Sequence, residues 1–116
     1  MNMKIFHNPK CSKSRETLGL LEDEGTEPDV VEYLQAFPSK EELKEIVEKL
    51  SLPVTSIIRF KESLAKELEI SAKDERSLDE WLEILCHNPK LLERPIVVKG
   101  NRAVLGRPPE NVRELF

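Results

Sequence analysis

The chain has 116 residues, 39% hydrophobic and 34% charged, with a formal net charge of −4. That length suits one globular unit with its own core, and the acidic balance argues against a nucleic-acid partner held by bulk charge. No apolar run is long enough to cross a bilayer, and Met1 to Lys13 carries no apolar leader with a small-residue cleavage site, so a cytoplasmic protein is expected.

Met3 to Phe6 is a short apolar run that predicts a buried strand. His7-Asn8-Pro9-Lys10-Cys11-Ser12 follows as a loop, by its Asn and Pro. A helix is predicted from about Ser12 to Glu24, with Leu18, Leu20 and Leu21 on its apolar face and Gly25 as its stop. Asp29 to Leu34 reads as a second strand. Strand, helix and strand at this spacing form a βαβ unit, so the two strands should run parallel.

Ser39 with Glu42 is a capping box, and Leu43, Ile46, Val47 and Leu50 follow as one buried helical stripe. A further helix is expected from about Val54 to Leu68, with Ile57, Phe60, Leu64 and Leu68 inward. Ser77 and Glu80 make a second capping box, opening a helix with Leu78, Trp81, Leu82 and Leu85 on one face; Asn88-Pro89 ends it. The period then changes. Pro95 to Lys99, Gly100-Asn101 and Arg102 to Leu105 read as a two-residue hairpin. Gly106-Arg107-Pro108-Pro109 breaks it, and a last short helix should run from about Pro109 to Leu115.

The expected order is β-α-β, a helical insertion over about residues 38–88, then β-β-α. This is an α/β fold of thioredoxin or glutaredoxin type, a single domain over 1–116 built on a four-stranded mixed sheet. The insertion exceeds what a minimal fold of this type needs, which makes its helices candidates to contribute to a site.

Cys11 and Cys86 are the two cysteines. In a reducing compartment a structural disulfide is not expected, so a free reactive thiol is the natural alternative. No Cys or His pair stands at ligand spacing, so no metal site is expected. Cys11 falls where a strand gives way to a helix. There the unpaired amide N–H groups and the positive dipole end favour an anion and lower a thiol's pKa. Lys10, Lys13 and Arg15 flank it before the first acid, Glu16, and His7 could serve as a cation or donor. Ser14 lies one turn on, facing back toward the sulfur. The bland alternative is a small buried apolar cysteine. Ser14 stands where a second cysteine of a local dithiol would be, and Cys86 reads as a core thiol beside Leu82 and Leu85.

Arg94 precedes Pro95 at the mouth of an apolar strand, a place where proline is tolerated and where a cis bond is allowed but not dictated. Arg107 lies in the proline-rich break. Arg59 lies among Ile57, Ile58 and Phe60, where an arginine is unexpected. Guanidinium groups suit a tetrahedral oxyanion through paired N–H donors, but for each one alone surface pairing with acids is the stronger reading.

The run Ile5 to Leu18, IFHNPKCSKSRETL, resembles the active-site motif of the glutaredoxin-coupled arsenate reductases. Asn88-Pro89, Glu93 to Val98 and Gly106 to Glu110 resemble the C-terminal motifs of the same family. The resemblance spans nearly the whole chain, and the short stretch after the last motif is like the family's short branch. It implies a thioredoxin-like fold in which Cys11 attacks arsenate. His7 and Ser14 would help hold the thiolate, with Asn8 of the same loop grouped with them, and Arg59, Arg94 and Arg107 would bind the oxyanion. No bound cofactor is implied; glutathione is the co-substrate, glutaredoxin the protein partner, and the enzyme a monomer. Two alternatives stand beside this. One is an Spx-like regulator that binds RNA polymerase, although those proteins typically carry C-x-x-C where this chain has Cys11-x-x-Ser14. The other is a thiol reductase acting on a different substrate, such as a glutathione mixed disulfide.

Overall fold

The structure is a computed structural model and describes residues 3–116. Met1 and Asn2, at the head of the stretch read above for a leader, lie outside the described residues. The sheet has four strands in the order β2-β1-β3-β4: β1 is Met3–His7, β2 Asp29–Glu32, β3 Ile96–Lys99 and β4 Arg102–Leu105. β1 pairs parallel with β2 and antiparallel with β3, and β3 pairs antiparallel with β4. The βαβ unit and the C-terminal hairpin therefore meet at β1. This is the thioredoxin-like mixed sheet expected from the sequence.

Alternation along β1 assigns its side chains to two cores. Met3 and Ile5 join Leu21 of helix α1 (Ser12–Asp23), Val97, Val104, Val112 and Leu115 on one face. Phe6 faces the other way, into a larger cluster with Ile96 and the insertion helices. Those are α2 (Lys40–Leu50), α3 (Ser63–Glu67) and α4 (Leu78–His87). Leu43, Ile46, Val47 and Leu50 of α2 and Trp81, Leu82 and Leu85 of α4 are buried there, as their spacing predicts. Trp81 packs edge-on against Phe60 at 5.6 Å between centroids.

The caps explain where the helices begin. Ser77 Oγ accepts from the Glu80 amide, and Glu80 Oε1 accepts from the Ser77 amide, both at 3.1 Å. The Ser39 box is only half formed. Ser39 Oγ accepts from the Glu42 amide, but the Glu42 carboxylate turns to Lys4 Nζ at 3.1 Å instead. Helix α1 stops at Gly25, whose φ of +81° suits a residue without Cβ.

Three expectations need correction. The helix expected over 54–68 is not continuous. Val54–Ile57 is a 3-10 turn, Ile58 bridges Leu92 in an antiparallel contact, and only Ser63–Glu67 is α-helical. The Arg59 amide donates to the Leu91 carbonyl at 2.7 Å and the Glu93 amide to the Ile57 carbonyl at 2.8 Å. These two bonds take the backbone out of the helix ladder, and Leu68 ends exposed rather than inward. Strand β2 ends at Glu32, where the Gln35 and Ala36 amides turn back onto the Glu32 carbonyl. The last helix, Pro109–Leu115, is 3-10.

Candidate active site

Cys11 is the N-cap residue of α1, in extended geometry, with no acidic residue in the helix's first turn. Its amide donates to the Asn8 carbonyl at 3.0 Å, closing the turn that links β1 to α1. The thiol makes no formed cap hydrogen bond, yet the N–H groups of Ser14 and Lys13 act on the sulfur as anion stabilisers. Partial burial pushes the thiol pKa up. The Ser14 amide, the Arg94 charge, an Arg94 N–H directed at the sulfur and the Lys13 amide together outweigh it, and the thiol falls below its ordinary value. Cys86 behaves oppositely: burial and the nearby Glu83 charge push its thiol up, and it packs against the larger core. Both cysteines are free.

The cation beside the sulfur is not one of those nearest in sequence. Lys13 pairs with Glu16 at 3.9 Å, and Arg15 donates to the Pro9 carbonyl at 2.9 Å. Arg94, from the loop before β3, supplies the charge. The Arg94–Pro95 and Arg107–Pro108 peptides are both cis. Within the Arg94 guanidinium, Nε and Nη1 are buried and have no hydrogen-bond partner among the described residues. Buried donors of this kind are normally satisfied, so an orphaned pair beside a thiolate asks for a ligand with acceptor oxygens.

His7 is buried, and its Nδ1 lies 2.6 Å from Ser14 Oγ, which also accepts from the Asn8 amide at 3.0 Å. Burial lowers the His7 pKa, opposed by Glu32 and assisted by Arg15, so the ring is neutral at pH 7 and not a cation. Ser14 is fully buried and spends its hydroxyl on His7 and Asn8; its amide, not its hydroxyl, serves the sulfur. Asn8 organises the loop from three sides. Its carbonyl accepts from Cys11, its Oδ1 from the Lys10 amide at 3.0 Å, and its own amide binds Ser14.

Arg59 and Arg107 both have partners already. Arg59 Nη1 lies 2.7 Å from Glu62 and its Nε 3.4 Å from Glu93 Oε1. Arg107 Nε lies 3.9 Å from Glu93 Oε2, and its Nη1 donates to the Arg94 carbonyl at 3.1 Å. The three arginines singled out in the sequence thus lie in one connected network, with Arg94 next to Cys11.

Sequence reasoning missed Tyr33, taken there as one more strand residue. It is 1% exposed and its phenol sits within reach of the Arg94, Arg59 and Cys11 charges and of the Asn8 side chain. Burial, with help from Cys11, raises its pKa against the two arginines and Asn8. The signal that could have found it is a tyrosine within an apolar run, since a buried tyrosine needs a polar partner. Tyr33, Asn8, Arg59, Glu62, Leu34 and Lys90 line a cavity of about 200 Å³ next to the thiol loop. A larger cavity of about 440 Å³ lies at the other end of β1, around Lys4, Asp29 and Lys49, and holds no nucleophile. Among the described residues no three His, Cys, Asp or Glu side chains converge as metal ligands would.

A thioredoxin-like sheet with a lowered thiol at the β1–α1 junction, facing an unsatisfied guanidinium, places the chain among the α/β proteins of thioredoxin-like fold. The comparisons narrow it. The ArsC family profile matches residues 6–115. The arsenate reductase of Haemophilus influenzae is 44% identical over 100% of both chains. The uncharacterised protein YfgD of Escherichia coli is 45% identical over 97% of this chain and 95% of its own. The solved structure of an arsenate reductase from Vibrio cholerae superposes with a TM-score of 0.94, at 49% identity, over 100% of this chain and 98% of that one. The chain belongs to the ArsC family.

Proposed function

We propose that this protein is a cytoplasmic arsenate reductase that works through Cys11 and draws its electrons from glutathione and glutaredoxin. The observation that carries the reading is the Arg94 guanidinium. It stabilises the Cys11 thiolate while two of its buried nitrogens lack an acceptor. A tetrahedral oxyanion held there supplies the missing acceptors and brings its central atom to the sulfur. Family membership and relatives named as arsenate reductases support arsenate as that anion.

The thiolate attacks arsenic, and one arsenate oxygen leaves as water after protonation, giving a covalent Cys11–As(V) adduct. Arg94, with Arg59 and Arg107, neutralises the oxyanion and the charge that develops on its oxygens. A glutathione thiol then displaces a second oxygen. Reduction of As(V) to As(III) takes two electrons, supplied as two thiols, glutathione and glutaredoxin, join in a disulfide. Water then hydrolyses the remaining Cys11–As(III) bond, supplying arsenite's third oxygen and returning the Cys11 thiol. Asn8, His7 and Ser14 act through the loop: their hydrogen bonds fix the turn from which the Ser14 and Lys13 amides meet the sulfur. No step uses Cys86, whose thiol stays protonated.

The test is turnover. Purified protein with arsenate, glutathione and glutaredoxin should release arsenite, and Cys11→Ser should abolish it. Wild-type protein that turns over no arsenate, or a serine variant that still does, overturns the reading.

A further inference from the structure

The network around the thiol contains two carboxylates that a simple oxyanion receptor would not include. Glu93 stands between Arg59 and Arg107, with one oxygen 3.4 Å from Arg59 Nε and the other 3.9 Å from Arg107 Nε. A carboxylate facing two guanidiniums with its two oxygens imitates one edge of a tetrahedral oxyanion. Glu62 occupies a further nitrogen of Arg59 at 2.7 Å. Arg94 alone among the three has no carboxylate partner among the described residues. Glu93 is held where it is. Its amide is bonded to the Ile57 carbonyl at 2.8 Å, and its side chain is 24% exposed. Charges half withdrawn from water interact more strongly and are screened less than surface pairs.

We infer that Glu93 is a specificity-determining residue, an internal anion that competes with incoming oxyanions for Arg59 and Arg107. The inference rests on the oxyanion-site part of the reading above, not on arsenate turnover. An anion gains the outer two guanidiniums only by displacing a carboxylate already there. That gain is the difference between two similar ion pairs and is small. Arg94 and the sulfur provide the rest. Every tetrahedral oxyanion finds Arg94, but only one whose central atom accepts a sulfur adds a covalent bond. Glu93 thus keeps unreactive sulfate and phosphate weakly bound and leaves selection to the chemical step. Without it, Arg107 loses its carboxylate and Arg59 keeps only Glu62, so charge alone would hold any oxyanion more firmly.

The experiment follows alkylation of Cys11 by iodoacetamide as sulfate is raised at constant ionic strength, in wild type, Glu93→Gln and Glu62→Gln. Glutamine keeps the shape and an acceptor oxygen while removing the charge. Glu93→Gln should gain protection at sulfate concentrations about three- to tenfold lower than wild type. Sulfate inhibition of arsenate turnover should strengthen in step. Glu62→Gln, which removes one of the two carboxylates on Arg59 and leaves Glu93 in place, should shift the same way by a smaller factor. Circular dichroism and the melting curve establish that each variant is folded, and Glu62→Gln reads the same competition if Glu93→Gln is not. Unchanged or weaker protection in the folded variants overturns the inference and makes Glu93 a brace for the arginines. Protection needs no turnover. A shift without arsenate reduction sinks the proposed function alone, and turnover without a shift sinks only the role of Glu93.

Discussion

At the scale of single residues the decisive balance is at the Cys11 sulfur. Burial favours the neutral thiol, while the Ser14 and Lys13 amides and the Arg94 charge favour the anion, and the anion wins. A thiol whose pKa is lowered keeps its thiolate, and hence its reactivity, as pH falls below the ordinary thiol range, and loses it only on passing the lowered value. The rate of Cys11 alkylation against pH should therefore turn over at a lower pH than that of an unperturbed thiol. Arg94→Gln should move that midpoint upward, because it removes the charge and replaces the guanidinium by a shorter neutral amide while leaving the two backbone amides. A midpoint that does not respond to Arg94→Gln would show that the helix amides do all the work. Cys11 itself was legible in the sequence, because a cysteine where a strand becomes a helix has few bland explanations. The source of its charge was not. Lys10, Lys13 and Arg15 are neighbours along the chain, but side chains leaving a loop and a helix at successive positions diverge. The Arg15 guanidinium is instead tied to the Pro9 carbonyl. The neutral state of His7 was equally hidden, since it depends on burial that no local pattern reports.

At the scale of elements, two junctions set the site. One is the short antiparallel contact between 57–59 and 91–93, which breaks the expected helix at Ile58 and delivers Arg59 beside Glu93 and Arg94. Its hydrophobic spacing read as helical because Ile57, Phe60 and Leu64 do face the core; the pairing partner, Leu92, lies far along the chain and leaves no mark in the local period. The other junction is the crossing of α1 by the hairpin's exit at Gly106. The Gly106 amide donates to the Pro95 carbonyl at 2.9 Å, and Thr17 of α1 packs against its Cα. A Cβ placed there would stand 2.9 Å from Pro95 Cγ and 2.9 Å from Thr17 Oγ1. The proline ring cannot swing aside, and Thr17 Oγ1 is engaged with the Lys13 carbonyl at 2.8 Å. Gly106→Ala should cost about 1–3 kcal/mol, the range for overpacking a filled interior. The melting temperature should fall by several degrees. Because Pro95 and α1 carry Arg94 and Cys11, the variant should also raise the Cys11 midpoint even where it remains folded. A variant as stable and as reactive as wild type would mean this crossing yields without consequence.

At the scale of the whole molecule, the fold was legible and the convergence was not. The βαβ unit and the hairpin each announce themselves by period and punctuation, and a mixed sheet is the simplest way to join them. Meeting at β1, they put the first loop and the loop before β3 at the same end of the two central strands, which is why Cys11 and Arg94 are neighbours. Arg107 follows from the end of β4, but Arg59 comes from the insertion, whose packing no local signal fixed. Four chain segments therefore supply the proposed oxyanion site, and an anion bound there ties them together only in the folded state. Such a ligand raises stability by RT ln(1 + [L]/Kd), about 2.7 kcal/mol when it stands at 100 times its Kd. Millimolar arsenate or sulfate should then raise the melting temperature of wild type in a saturating manner, and Arg94→Gln should remove most of that rise. Sulfate also stabilises folded proteins in general by exclusion from their surfaces, an effect that grows steadily with concentration and does not depend on Arg94. The informative quantity is the difference between wild type and Arg94→Gln at each anion concentration, with chloride at matched ionic strength as the reference. Equal shifts in the two proteins would mean that the unsatisfied nitrogens of Arg94 are not where the anion binds.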